Sequence, residues 1–187
     1  MSNPVLGQER MTFEEAARLD PDEQPGELDD GRWVPVPRSS WRHGQVVGNA
    51  CVLLGQYAKQ HPGWSISAGD PGTKLARNPD RLRGPDVGMV RAEREPKGKG
   101  VDGWLEGAPD VVVEVIGDGQ SFSELAKKAL EYLSAGAKMV WVLDPDPQTL
   151  VLFVPLNQVQ ILGRDEILDG GDVLPGFSCK VAELFEI

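Results

Sequence analysis

From Ser40 onward, apolar or small residues fall at Val46, Val47, Ala50, Leu53, Leu54 and Tyr57, a stripe of helical period. It predicts a long helix that stops at "HPG" (61–63). A second stripe, Leu125, Ala129, Tyr132, Leu133 and Gly136, predicts a helix over 123–135. Ser121 and Glu124 have capping-box spacing before it, and Gly136 supplies the stop. A short helix is predicted at "MTFEEAARL", where Thr12 precedes Glu15 by three positions, and "DPDEQPG" (20–26) ends it.

The rest of the pattern is strand-like. "ELDDGRWVPVP" reads as a hairpin turning at Asp30-Gly31, with Pro35 and Pro37 marking an early end or a sheet edge. "WSISA", "DVGMV" and "DVVVEVI" predict three strands, and "RAEREPKGKGVDGWLEG" between the last two reads as a mobile polar loop. "KMVWVLDP" and "TLVLFVP" add two strands joined by "DPDPQ". The C-terminal part reads as short strands and turns closing on Val181, Leu184 and Phe185. Helix, strands, helix, strands, without an internal repeat, implies an α/β or α+β domain on a central mixed sheet. The 187 residues fit one domain over 1–187, with 1–38 as an N-terminal helix and hairpin extension and 39–187 as the core.

The predicted strand "DVVVEVI" carries the first chemical signal. Glu114 interrupts an apolar run from Val111 to Ile116, and an unpaired buried charge is costly. With a period of two, Val111, Val113 and Val115 form a core face, while Asp110, Val112, Glu114 and Ile116 share the other. Glu114 is therefore expected to look into a lined cleft. In "RGPDVGMV", Asp86 opens another apolar strand. If the two strands are neighbours, Asp86 and Glu114 converge within reach of one hard cation; Mg²⁺ is typically held by one or two carboxylates and several waters. On the second long helix Lys128 flanks the inward stripe, whereas Lys127 lies opposite it with Glu124 and Glu131 at pairing distance. Lys128 is thus the lysine that can turn inward, or else snorkel over apolar surface. Two acids and a lysine around a cleft suit metal-assisted hydrolysis of a phosphate ester.

Charge and cysteine content narrow the class. With 29 acidic against 19 basic residues and a net charge of -10, a broad basic field for nucleic acid is excluded, though a local basic channel is not. In "RNPDRLRG", Arg77, Arg81 and Arg83 form either a solvated charge run or a patch for substrate phosphates. Cys51 and Cys179 are far apart and outside any CxxC pair, as expected of structural thiols in a reducing cytosol. The N-terminal stretch lacks the basic and apolar regions of a signal peptide, and no apolar run has membrane-spanning length. A soluble, cytoplasmic protein without a membrane partner is expected.

In order and spacing, "GPDV", "PDVVVEVIG" and "KKALEYLSAGAKMVWVLDP" resemble the Uma2 family, also called DUF820, of the PD-(D/E)XK nuclease-like superfamily. "GELDDGRWV", "RHGQVVGNACVLL" and "DVLPGFSCKVAELF" extend the likeness over most of the chain. The resemblance implies a restriction-endonuclease-like core and Mg²⁺- or Mn²⁺-dependent phosphodiester hydrolysis, with DNA ahead of RNA as the substrate. It matches Asp86 to the family's "PD" aspartate and Glu114 to the acid of the second motif. The lysine expected two positions later is replaced by Ile116, and Lys128 with Tyr132 matches a K-x-x-x-Y arrangement that supplies it from the following helix. Glu27 matches a family glutamate that would add a third metal-binding carboxylate. His43 matches a histidine that would touch a phosphate or cap the cleft, while His61 reads as structural. "EVIGDGQS" stands where relatives read "EVLSPS", so Asp118 is either a metal auxiliary or a solvated loop acid. Nuclease-like domains that cut duplexes often pair, so a homodimer is expected, with the hairpin near 27–37 as its contact. A non-catalytic binding or assembly module on the same fold is the competing expectation.

Overall fold

The structure is a computed structural model that describes residues 10–20, 23–156 and 158–186. In chain order the elements are α1 (Phe13–Ala16), β1 (Gly26–Asp29), β2 (Arg32–Pro35), α2 (Trp41–Gln60), β3 (Trp64–Ala68), β4 (Thr73–Ala76), β5 (Arg81–Arg83) and β6 (Val87–Arg91). Then follow β7 (Leu105–Glu106), β8 (Val111–Val115), α3 (Phe122–Ser134), β9 (Met139–Asp144), β10 (Thr149–Val154), β11 (Gln158–Leu162), β12 (Ile167–Asp169) and β13 (Ser178–Lys180). Pro21 and Asp22, within the expected stop after α1, lie outside the described residues.

A mixed six-stranded sheet, ordered β11-β10-β9-β8-β6-β3, carries the main core. Neighbours run antiparallel except β8 and β9, which α3 joins as a parallel pair. Helix α2 covers one face, packing Val46, Ala50, Leu54 and Tyr57 on Val87, Met89, Val111, Val113 and Val115. Helix α3 covers the other, packing Leu125, Ala129 and Tyr132 on Val112, Val140 and Val142. Each such buried aliphatic side chain contributes about 1.5–3 kcal/mol relative to exposure. Strand β8 is buried along its whole length because both of its faces meet a helix. The expected helix starts hold: Ser40 caps α2, and Ser121 with Glu124 forms a reciprocal capping box on α3.

A second sheet, β2-β1-β5-β4-β7, begins with the predicted hairpin. Asp30 and Gly31 both have positive φ, as a tight hairpin turn requires, and β2 is the edge strand ending at Pro35. The hairpin continues into the sheet through Leu28 opposite Leu82. Phe13, Leu28 and Leu82 form a small separate core, with Trp33, Val101 and Trp104 against it.

Two readings need correction. The charged run 77–84 is not a plain solvated stretch: it turns between β4 and β5, and Arg81 to Arg83 are strand residues. Their charges do not prevent pairing because carboxylates from other elements meet them. The polar segment 91–107, expected as a mobile loop, is not without regular structure either. It forms 3₁₀ turns at Ala92–Arg94 and Gly100–Gly103, then β7, which pairs in parallel with β4. Arg94 anchors it through Asp110 at 2.9 Å, and Lys74 Nζ donates to Val101 O at 3.1 Å.

Candidate active site

Strand register creates the centre of the site. β6 and β8 pair antiparallel and the pairing ends with Val87 opposite Val113, so Asp86 and Glu114 are the residues that flank that last pair, one on each chain segment. Beyond the last pair, Val115 N donates to Asp86 Oδ2 at 2.7 Å, so Asp86 ties the two strand ends together. His43, one turn into α2, places Nε2 3.1 Å from Val115 O and 3.4 Å from Asp86 Oδ1. On the opposite face, Glu114 points toward α3, where the Tyr132 hydroxyl donates to its Oε1 at 2.7 Å. One turn earlier on α3, Lys128 Nζ reaches Glu27 Oε1 of β1 at 2.9 Å. The side chain of Lys128 is 17% exposed and that of Lys127 62%, which settles the choice between them: Lys128 turns inward.

The electrostatics follow from this crowding. Burial pushes the Glu114 carboxyl up to about 8; the Lys128 ammonium opposes the rise, and the neighbouring Asp86 and Glu27 charges add to it. Burial works against the Lys128 ammonium, but Glu114 and Glu27 outweigh it and raise its pKa. Asp70 is raised by burial and then by the charges of Asp86 and Glu27. The hydrogen bond to Asp86 raises His43 against the effect of its burial. Tyr132 is held well above its ordinary range by burial and then by Glu114. The site therefore carries more carboxylate than its own cations neutralise comfortably.

These groups line one cavity of about 600 Å³. Glu27, His43, Asp86, Glu114 and Lys128, all expected at the site, meet there, and Tyr132 stands behind Glu114. The arginines divide. Arg83 lines the cavity, but its guanidinium is buried among Glu27, Asp29 and Glu131 at 3.2, 2.9 and 2.7 Å. Arg77 and Arg81 do not line it. Arg77 pairs with Glu14 and Asp80 and lies 4.4 Å over the Phe13 ring; Arg81 pairs with Asp29 and Asp30. His61 stacks on Tyr57 at 4.0 Å, away from the site, and both cysteines are free.

Several lining residues escaped the sequence reading, among them two charged side chains and two indoles. Asp70 sits at positive φ in "AGDPG", where composition signals only a turn. Arg38 follows Pro37 in a linker before α2, and Trp33 reads as an ordinary strand residue. Trp104 lies in the segment expected to be a mobile loop.

The donor set was compared with a hard divalent cation. Among the described residues, no group of three or more His, Cys, Asp or Glu side chains is arranged to hold a metal ion. Both oxygens of Glu27 are engaged, Oε1 by Lys128 and Gly84 N and Oε2 by Arg83. Asp86 and Glu114 remain, an all-oxygen pair, with Asp86 Oδ2 accepting from Val115 N and Oδ1 3.4 Å from His43 Nε2. Tyr132 takes only Oε1 of Glu114, and Oε2 accepts no hydrogen bond among the described residues. Two carboxylates with room for water fit Mg²⁺ or Mn²⁺, which complete their shells with water and phosphate oxygens.

Comparison with known proteins concerns the chain as a whole. The Uma2 family, described as "Putative restriction endonuclease", matches residues 12–182. A crystal structure from Anabaena variabilis ATCC 29413, titled as a putative nuclease belonging to DUF820, superposes with a TM-score of 0.79 at 20% identity. The match covers 94% of this chain and 97% of that one, and at this identity it speaks for the restriction-endonuclease-like fold. No curated protein matches the sequence. Among the described residues, no helix is long and apolar enough to cross a membrane.

Proposed function

This chain belongs to the Uma2 family, and from that premise we propose that it is a divalent-metal-dependent phosphodiester hydrolase acting on nucleic acid. The observation that carries the reading is that Asp86 and Glu114, which flank the last pair of β6 and β8, line one cavity together with Lys128. Asp86 and Glu114 would hold Mg²⁺ or Mn²⁺. When bound, such a cation withdraws charge from phosphate oxygens and makes water a stronger nucleophile.

The chain's own side chains supply the rest. Tyr132 fixes the Glu114 carboxyl by donating to Oε1, which turns Oε2 toward the cavity. Val115 N and His43 fix Asp86 in the same way. Lys128, held by Glu27, presents an ammonium that orients the attacking water and stabilises charge developing on the phosphoryl oxygens. Glu27 thus acts as a positioning residue; as a third metal ligand it would have to give up Lys128, Gly84 N or Arg83. In the reaction, water gives its hydroxyl to phosphorus and its proton to the leaving oxygen as one P–O ester bond breaks.

The competing reading, a non-catalytic module on this fold, is favoured by the ion pairing of Arg77, Arg81 and Arg83, which leaves little charge there for phosphates. The experiment that decides is cleavage of single- and double-stranded DNA and of RNA with and without Mg²⁺ or Mn²⁺, using wild type, Asp86→Ala, Glu114→Ala and Lys128→Ala. Metal-dependent cleavage lost in all three variants supports the hydrolase. Activity that survives all three removes this mechanism, and folded protein with no activity on any substrate favours the binding module.

A further inference from the structure

The cavity has two unlike walls. One is the cluster of carboxylates and Lys128. The other is built from the small core under the hairpin, with Trp33, Leu82 and Trp104 facing the same space. Both indoles press close enough on backbone to exclude a side chain there: a Cβ at Gly26 would stand 2.7 Å from Cε2 of Trp33, and one at Gly72 would collide with the indole of Trp104. The Phe13 ring meets Trp104 edge-on at a centroid distance of 6.4 Å, which holds that indole from behind. These are rigid, half-buried aromatic surfaces beside the reactive groups.

Access decides what can use them. Glu114 is 5% exposed and the Asp86 side chain 13%, so a phosphate must enter the cavity to reach both. The nucleoside attached to that phosphate must follow it. In a duplex that nucleoside is stacked and paired, and bringing it in means extruding it. An unpaired nucleotide enters without that cost, and its base meets a π-surface that accepts any base. The volume of about 600 Å³ is in the range of small-molecule pockets and suits one nucleotide. The remaining cation on the lining is Arg38, exposed beside Pro37 and Ser39; it forms no ion pair among the described residues, unlike Lys128 and Arg83.

We infer that the substrate is single-stranded nucleic acid, with one unpaired base stacked on Trp33 and Trp104 and the adjoining backbone phosphate met by Arg38. The inference rests on the hydrolase reading for the identity of the ligand, but binding and cleavage are separable.

The test uses the full chain and fluorescence-labelled twelve-nucleotide oligothymidylate, the same strand with one abasic site, its duplex with oligoadenylate, and oligouridylate. Binding is measured by anisotropy in Ca²⁺ or EDTA, and cleavage separately in Mg²⁺. The single strand should bind at least about tenfold tighter than the duplex, and Trp33→Leu and Trp104→Leu should each weaken it by about tenfold or more. Arg38→Gln should lower the salt dependence by about 0.7 in log–log slope, the value for one phosphate contact on a single strand. The abasic strand tests the stacking without altering the protein, and it should bind more weakly than the intact strand. Tighter binding of oligouridylate than oligothymidylate would support the same pocket with RNA as the source of the base. Duplex binding as tight as single-strand binding, or equal affinity for the abasic strand, overturns the inference. Cleavage of duplex that is indifferent to both tryptophans overturns it while sparing the hydrolase. Tryptophan-dependent binding without cleavage supports it while removing the hydrolase.

Discussion

Lys128 Nζ lies 2.9 Å from Glu27 Oε1, joining α3 to a strand 101 residues earlier in the chain. The pair explains how a site whose second motif carries Ile116 where a lysine is expected still has an ammonium beside Glu114. Strand β8 does not have to supply it, because α3 packs back over the face that bears Glu114. If Lys128 acts on the phosphoryl group, Lys128→Ala should cut cleavage by about 10²–10³-fold, the usual loss for a positioned charge stabiliser. Lys127→Ala should leave the rate unchanged, since that ammonium faces solvent and meets Asp29 and Glu131 instead. Steady-state cleavage rates of the two variants, measured side by side, check this.

Tyr132→Phe removes a single oxygen. It leaves Glu114 Oε1 without its 2.7 Å donor in a buried position, at a cost of about 1–3 kcal/mol of stability. On the proposed ligand role of Glu114, Mg²⁺ affinity should fall by about 10- to 100-fold, as when a ligand loses its supporting hydrogen bond. Urea denaturation and calorimetric titration with Mg²⁺ separate the two effects. Unchanged metal affinity in a destabilised variant would mean that the tyrosine serves only the core.

Arg83 and Arg77 should differ in how much stability each carries. Arg83→Met strips the shared cation from Glu27, Asp29 and Glu131 and is expected to cost about 3–5 kcal/mol, the range for breaking a buried ion pair on one side. Arg77→Ala removes a half-exposed guanidinium that pairs with Glu14 but also meets the buried Asp80 and the Phe13 ring, and should lower the urea midpoint less than Arg83→Met does. A large loss of substrate affinity without loss of stability in Arg83→Met would instead restore this residue to the role of a phosphate contact.

Asp110 gives the fold an acid limit. Burial alone would raise its carboxyl, but the hydrogen bond from Lys138, the Arg91 N–H and the Arg94 charge outweigh burial and hold it below the ordinary 3.8. The folded state therefore binds this proton less tightly than the unfolded state. Its contribution is present above about pH 4 and is lost as pH falls through the depressed folded value. Asp110→Asn should lower the melting temperature at neutral pH and flatten the decline below about pH 4, as thermal scans across that range would show.

Much of the frame was legible in the chain itself. The stripes on α2 and α3, the capping boxes at Thr12 and Ser121 and the Asp30-Gly31 turn are local signals, and local geometry obeys them. The period of two in "DVVVEVI" placed Val111, Val113 and Val115 in the core, and the odd charge marked Glu114. Helical spacing separated Lys128 from Lys127, although it left open whether the former reached inward or snorkelled.

What only the tertiary structure decided are the meetings between distant segments. That Asp86 and Glu114 line one cavity depends on the pairing of β6 with β8, which neither strand encodes alone. The arginines at 77, 81 and 83 look like a free basic run until α1 brings Glu14 against Arg77 and the β1 hairpin and α3 bring Asp29, Asp30, Glu27 and Glu131 against Arg81 and Arg83. Asp70, Trp33 and Trp104 come from a turn, a hairpin edge and a polar segment, and they share a cavity because two sheets close around it. Periodicity records which face of an element is buried, because burial acts on each residue through its own neighbours in the element. It is silent on which charges and rings arrive from elsewhere, since those contacts are chosen by packing across the whole chain.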